Sequence, residues 1–346
     1  MAILQRILRS NFFIKLASWE YWPFGIVQLP AFFYFGWLAI RARSLTFFTA
    51  SNPGIPMGGM FGESKYDILQ KIPSSVVPTT ILITAPASIH QVINAITSRG
   101  LRFPLIFKPE LGERGFKVTR INSTEAAQEF IDTMPYNFLI QEFVDAPLEF
   151  GVFYRRMPGE AQGEVTSVVM KEMLSVTGDG IHSLKQLILS KDRAKIHWER
   201  LRKIFDSRLD EVIASGTVIE LVSIGNHCLG TKFINRNDLI NDTLNERFDE
   251  ISKNIEGFYY GRYDLRCNTL ADLYNGNISI MELNGCGAEP AHIYDPEFSF
   301  FKAVAVLLKH WKTIFDIARA NKRRGTPYLS LTEALEYYRT FKRRVG

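Results

Sequence analysis

Apolar runs and amphipathic stretches succeed one another along the chain, and their period identifies most of the elements. Positions 21–40 are nearly all apolar, interrupted by Gln28, Pro23 and Pro30. Turn formers fill 52–59 (NPGIPMGG) and predict a loop. Helical spacing follows over 63–72, a strand over 79–84, and a helix over 87–98 that Gly100 stops. A buried strand is predicted over 103–109, a glycine-bearing loop over 110–115 and a strand over 116–121. Ser123 is placed to cap a helix over 124–134, and strands over 138–144, 149–157 and 164–173 come next. Beyond a loop at 177–180 lies a helix through Ser190. A long amphipathic helix is then predicted over 197–214, carrying Trp198, Leu201, Ile204, Phe205, Leu209 and Val212 at near-helical period. Positions 217–234 read as strand-rich, 241–257 and 298–320 as helical, and the end as a basic tail. Strands and helices alternate without a strict βαβ rhythm or an internal repeat. The fold class is therefore α+β, with antiparallel sheets covered by helices.

The chemistry concentrates in two strands, 261–266 (GRYDLR) and 278–285 (ISIMELNG), joined by a polar turn over 271–277. Period-two alternation puts Arg262, Asp264 and Arg266 on one face, and Glu282 with Asn284 on one face of the second strand. Clustered carboxylates need a compensating cation, and oxygen-only donors select Mg²⁺ before a soft metal. The competing reading is a hairpin with an internal ion-pair network. Lys108 ends an apolar strand just before Gly112 and Gly115, a combination suited to nucleotide phosphate; the competing reading is a surface hairpin with a snorkelling lysine. The strand around Gln141, Glu142, Phe143 and Val144 can offer backbone groups to an adenine edge, with Glu149 reaching ribose hydroxyls, or serve only as core.

In this order and spacing the motifs resemble the ATP-grasp superfamily, especially D-alanine–D-alanine ligase-like carboxylate–amine ligases, over about residues 63–295. The anchors are Ser64-Lys65 ahead of Val77-Pro78, Phe107-Lys108-Pro109 with the glycine loop, the 141–144 strand with Glu149, and Arg262, Asp264, Glu282 and Asn284. The 178–180 loop with 183–188 (SLKQLI) is similar to cyanophycin synthetase-type members. The resemblance implies two α+β lobes with nucleotide between antiparallel sheets. Residues 103–146 are the small lobe and 147–320 the large lobe with its metal site. A region over 63–102 leads in, after an apolar segment over 1–62, and a basic tail over 321–346 follows. The cofactors implied are ATP and Mg²⁺, as two ions, with Mn²⁺ as a substitute. Lys65 and Lys108 would hold phosphates, with Lys71 as a substitute for Lys65 and Lys171 also reaching phosphate. The 112–115 loop would close over the triphosphate, Glu142, Phe143 and Val144 would meet adenine, and Glu149 the ribose. Asp264, Glu282 and Asn284 would ligate metal, and Arg262 would act in catalysis with Lys108. The reaction implied joins a small-molecule carboxylate to an amine through an acyl phosphate, releasing ADP and phosphate. The alternative is a non-catalytic nucleotide-binding scaffold attached to a membrane.

The chain departs from that family at both ends of the motif set. The region ahead of the ATP-binding lobes is short and aromatic, so a D-alanine substrate does not follow. After Asn284 the sequence runs GCGAEPAHIYD, which makes Glu289, His292 and Asp295 substrate-contact candidates, with His292 favoured by pKa as an acid–base group. The 21–40 run has the length of a membrane span and carries aromatic flanks, but Pro30 sits inside it and basic residues lie on both sides. A hydrophobic cap packed on the protein or on a dimer partner is favoured over contact with a membrane surface. Cys228, Cys267 and Cys286 lack metal spacing and read as reduced thiols, which points to the cytoplasm, peripheral at the inner membrane face if the segment attaches. The net charge of +5 and pI near 9.0 suit an anionic ligand, and no nucleic-acid motif accompanies them.

Overall fold

The computed structural model describes residues 10–112 and 116–345. Helices α1 (Asn11–Ala17), α2 (Phe24–Ala42) and α3 (Lys65–Leu69) precede the sheets. The first sheet comprises β1 (Thr80–Ile83), β2 (Leu105–Pro109), β3 (Thr119–Ile121) and β4 (Phe138–Glu142), antiparallel in the order β1-β4-β2-β3. It is covered by α4 (Ile89–Ser98) and α5 (Thr124–Asp132). Each helix begins where its sequence supplies a cap: Ser88 and Gln91 form a capping box for α4, and Ser123 accepts from Ala126 N for α5. Phe107, Phe130 and Phe138 meet in the core of this lobe with centroids 5.3–5.7 Å apart.

The second sheet orders β11-β10-β5-β6-β9, using β5 (Leu148–Arg155), β6 (Glu164–Glu172), β9 (Lys232–Asn235), β10 (Tyr260–Cys267) and β11 (Ser279–Asn284). Helices α9 (Asp242–Lys253) and α10 (Leu270–Asn275) cover one face, burying Phe150, Val152, Leu244, Phe248, Tyr263 and Ile280. The connection expected as a polar turn over 271–277 is therefore partly helical, because Thr269 and Asp272 form a capping box. A small unit of β7 (Ser175–Thr177), β8 (Val218–Glu220), α6 (Leu184–Ser190), α7 (Asp192–Ile196) and α8 (Trp198–Ile204) carries its own core around Leu184, Ile188 and Leu201. The long helix expected over 197–214 ends at Ile204. Residues beyond it pair with another segment instead: Lys185 N donates to Leu209 O, Leu184 N to Glu211 O, and Ser183 bridges Val212. Only 218–220 and 232–235 of the region expected as strand-rich are strand, and the strand expected from 116 begins at Thr119 after Lys117 takes φ 51°.

The chain ends meet on α11 (Phe300–Arg323). Phe35 lies 4.9 Å from Trp311, Phe47 lies 5.7 Å from Phe315, and Leu38, Ala39 and Ala42 of α2 are buried there. The opposite face of α2 carries Ile26, Leu29, Phe33 and Ile40 and is exposed. By length and composition α2 is apolar enough to cross a membrane, and its inner face is a packed cap on the protein. The tail expected at the C-terminus is helical, α12 (Leu331–Val345), with Phe61 5.6 Å from Tyr338. Ser330 and Glu333 cap it reciprocally, a signature present in the sequence.

Buried Asn52 fastens the N-terminal segment to the start of β10. Its amide donates to Gly58 O at 2.9 Å and Tyr260 O at 2.8 Å, and its carbonyl accepts from Tyr259 N and Tyr260 N. Just beyond β11, Cys286 N donates to Gly58 O and Gly287 N to Gly59 O. A Cβ on Gly59, which has φ +75°, would lie 2.6 Å from Gly285 Cα, so glycine is required for that approach.

Candidate active site

Strand register assembles the charged residues. On β10, Arg262 faces Asn284 and Asp264 faces Glu282 of β11; on the other side Arg266 faces Glu149 of β5, which faces Lys171 of β6. A bulge between Asp264 and Leu265 shifts the β10–β11 pairing just past the acidic residues. The side chains form a row of alternating sign. Arg266 Nε lies 2.9 Å from Glu149 Oε2, Lys171 Nζ lies 3.0 Å from Glu149 Oε1 and 2.9 Å from Asp264 Oδ1, and Arg262 Nη2 lies 3.1 Å from Asp264 Oδ2. Arg262 also donates to Glu289 O at 3.2 Å, and Asn284 Nδ2 to Asp264 Oδ2 at 3.1 Å.

This row explains the electrostatics. Burial pushes the Asp264 carboxyl upward, but Arg262 and Lys171 overcome it and hold the group at about 2. Burial works to lower Lys171 and Arg262, and their carboxylate neighbours, Asp264 first, raise both above the ordinary value. Lys108 is different. It reaches across from β2, donating to Gln141 Oε1 and to Met281 O of β11, each at 3.0 Å, and burial brings it down to about 8. It thus bridges the two sheets from the floor of the cleft.

The remaining expected residues surround that floor. Lys65, at the start of α3, donates to Gly112 O and stands 4.0 Å from Glu282 Oε1. Gly112 has φ +135°, whereas Gly115 lies outside the described residues. Glu142 N donates to Thr79 O, the Arg120 guanidinium sits 4.2 Å over the Phe143 ring, and Val144 O accepts from Arg266 at 3.1 Å. Lys71 bonds to Gly54 O beside a separate small hollow, so it does not stand in for Lys65. Of the three residues expected after Asn284 to meet substrate, Glu289 lines the cleft. His292 is buried with Nδ1 2.6 Å from Ser167 Oγ, is brought down to about 4 chiefly by burial, and does not line the cleft. Asp295 accepts from Asn235 N at 2.7 Å and holds a strand end. Cys286 is buried, which raises its thiol to about 12 and keeps it protonated.

Lys108, residues 142–144, Glu149, Lys171, Arg262, Asp264, Glu282, Asn284 and Glu289 line one cleft of about 670 Å³ between the sheets, and Lys65 stands outside its lining. Glu282 is about a third exposed at its edge. Asp264, Glu282 and Asn284 give two carboxylates and a carboxamide, and no group of three or more His, Cys, Asp or Glu placed to hold a metal ion occurs among the described residues. Such an oxygen-only set suits Mg²⁺ completed by water and phosphate, and does not suit a soft metal. Three contributors escaped the sequence reading. The Gln141 side chain orients Lys108, and the N-terminal residues Glu20 to Val27 form a wall of the cleft. The third is Gly225: a Cβ there would lie 2.0 Å from Glu149 Oε1, so its loop lies directly over the Glu149–Lys171 pair. A glycine inside a supposed strand was the available signal for it.

Residues 65–149 match the family model of the RimK-like ATP-grasp domain. Among solved structures the chain is similar to a bifunctional glutathione synthetase from Pasteurella multocida, at 16% identity and TM-score 0.35, covering 71% of this chain and 35% of that one. It is also similar to the VanG D-Ala:D-Ser ligase from Enterococcus faecalis, at 14% identity and TM-score 0.42, covering 74% of this chain and 64% of that one. A D-alanine–D-alanine ligase from Bacillus anthracis gives 15% identity and TM-score 0.43, covering 78% and 72%. The chain therefore spans about a third of the first of these proteins and under two thirds of the second. No curated sequence matches it. Residues 65–149, which contribute the whole of the first sheet and Lys108, are thus the part of the chain that matches the RimK-like ATP-grasp domain, and they face the second sheet across one charged cleft.

Proposed function

We propose that the chain is an ATP-dependent ligase that joins a carboxylate to an amine through an acyl phosphate. The observation that carries the reading is the row Arg266–Glu149–Lys171–Asp264–Arg262, set beside Glu282 and Asn284 and facing buried Lys108 across the cleft. A carboxylate is a poor electrophile at neutral pH and needs a leaving group. Its oxygen attacks the γ-phosphorus, the bond to the bridging oxygen breaks, and ADP departs. The amine nitrogen then attacks the acyl carbon, the carbon–oxygen bond to phosphate breaks, and the nitrogen loses a proton. Mg²⁺ held by Asp264, Glu282 and Asn284 would supply charge neutralisation for the phosphates when bound. Arg262, fixed by Asp264 and the Glu289 carbonyl, presents a preorganised cation to the transferring phosphoryl group without reorganisation during the reaction. Lys65 and Lys108 bind phosphate oxygens, and the strand from Glu142 to Val144 takes the base. The free cysteines support a reducing, cytoplasmic setting.

The test is to incubate the full chain with ATP, Mg²⁺ and pooled amino acids or short peptides and to measure ADP and phosphate. ADP release that needs both a carboxylate and an amine supports the reading. Nucleotide binding without turnover on any pool overturns it in favour of a non-catalytic module. Glu282→Gln is expected to lower turnover by a factor of about 100 or more while nucleotide affinity changes little; unaltered turnover would remove Glu282 from the metal set.

A further inference from the structure

The cleft continues past Arg262, and the N-terminal segment builds its far end. Gln28 donates to Glu289 Oε1, and Tyr294 OH donates to Glu289 Oε2 at 2.5 Å, while the backbone carbonyl of the same residue holds Arg262. Trp22, Phe24, Val27 and Met60 line this cavity together with Glu289. The aromatic wall is continuous there. Tyr21 stacks on His227 with centroids 6.2 Å apart, and His227 lies 5.2 Å from Tyr294. A nucleotide bound between Lys108 and Glu149 uses the other end of the cleft. What is left is an amphipathic compartment, with a carboxylate and a guanidinium at its inner side and rings beyond them.

Resting on the ligase reading above, we infer that this compartment is the acceptor subsite and that the acceptor is a primary amine bearing an extended apolar or aromatic body. Its ammonium group pairs with Glu289, where partial burial makes a charge-assisted hydrogen bond strong, and it passes one proton to that carboxylate before the freed nitrogen lone pair attacks the acyl carbon. Its body lies against Trp22, Phe24 and Val27. A short hydrophilic amine would leave those side chains facing water, and apolar area removed from water is the main source of affinity in such a pocket. The N-terminal segment is in this sense a specificity element, which accounts for its aromatic content.

The experiment reads binding, so that it stands apart from turnover. The full chain, saturated with a nonhydrolysable ATP analogue and Mg²⁺, is titrated calorimetrically with linear primary amines of increasing length and with 2-phenylethylamine. Affinity is expected to rise about fourfold per added methylene until the compartment is filled. Phe24→Ser, at the half-exposed rim, is expected to weaken the longest amine about tenfold with the affinity for the ATP analogue retained, and Glu289→Gln to remove the preference for an amine over the matching alcohol. Affinity that does not depend on chain length, or an unchanged response in Phe24→Ser, overturns the inference. An absence of ADP formation on every pool, with the length dependence intact, overturns the ligase reading and leaves the amine subsite standing.

Discussion

A single methylene chain ending in an ammonium group, Lys108, joins the two sheets, and its environment brings its titration well below the ordinary lysine range. Burial lowers it to about 8, with Lys65 adding repulsion and Glu282 and Asp264 pulling the other way. Below pH 8 it is charged and ready for phosphate; above that it is largely neutral. Nucleotide phosphate favours the charged form and raises the value again, so binding near pH 9 is expected to take up a proton, and binding near pH 7 is not. Calorimetry in buffers of different ionisation enthalpy measures this directly. Equal proton balance at both pH values would contradict it, and Lys108→Met should abolish the difference. At this scale the sequence was informative wherever side-chain direction follows from strand period: Arg262, Asp264, Glu282 and Asn284 share the cleft because β10 and β11 alternate as expected. It was silent on the Gln141 side chain, whose role depends on a neighbour brought from another strand, and it named Glu289 without the Gln28 and Tyr294 partners that hold it.

Between elements, the decisive joint is the one at Asn52. Four backbone groups are satisfied by one buried side chain, and two of its partners belong to Tyr260 at the head of the strand that carries Arg262 and Asp264. Asn52→Ala leaves those donors and acceptors buried without partners, and chemical denaturation is expected to show a loss of about 3 kcal/mol or more. A loss below about 1 kcal/mol would mean that water or a shifted loop replaces the amide. Elements were legible where caps and periodicity agreed, as in α4, α5 and α9. The second half of the expected 197–214 helix was lost because backbone pairing with 183–185 outcompetes a marginal helix, a tertiary effect that no local pattern carries. The final helix was legible in its Ser330–Glu333 box and obscured by the charge of the residues after it.

Across the whole molecule, the apolar N-terminal segment has two faces with different consequences. Leu38 is buried against α11, whereas Ile40 is 76% exposed on the same helix. Leu38→Ala is expected to cost about 2–5 kcal/mol, and Ile40→Ser less than about 0.5 kcal/mol, in equilibrium unfolding of the isolated chain. Comparable losses at both positions, varying with protein concentration, would show that the outer face is covered in solution. The overall α+β architecture with two sheets was legible because alternation and turn chemistry are local properties. The packing of α2 on α11 was not, since an apolar run states that it must be buried and leaves its partner unspecified.

That packing has a consequence for biogenesis. Thr46 bonds to Leu329, and Asn321 bonds to Ala50, contacts separated by 283 and 271 residues of sequence. The apolar segment around the earlier partner of each pair therefore waits, uncovered, until the 271 to 283 residues that separate it from its contact have been synthesised. Loop closure over such distances is slow, and exposed hydrophobic surface in the meantime invites aggregation. Refolding from denaturant should accordingly be slow and chaperone-responsive, with the burial of Trp311 among the last events.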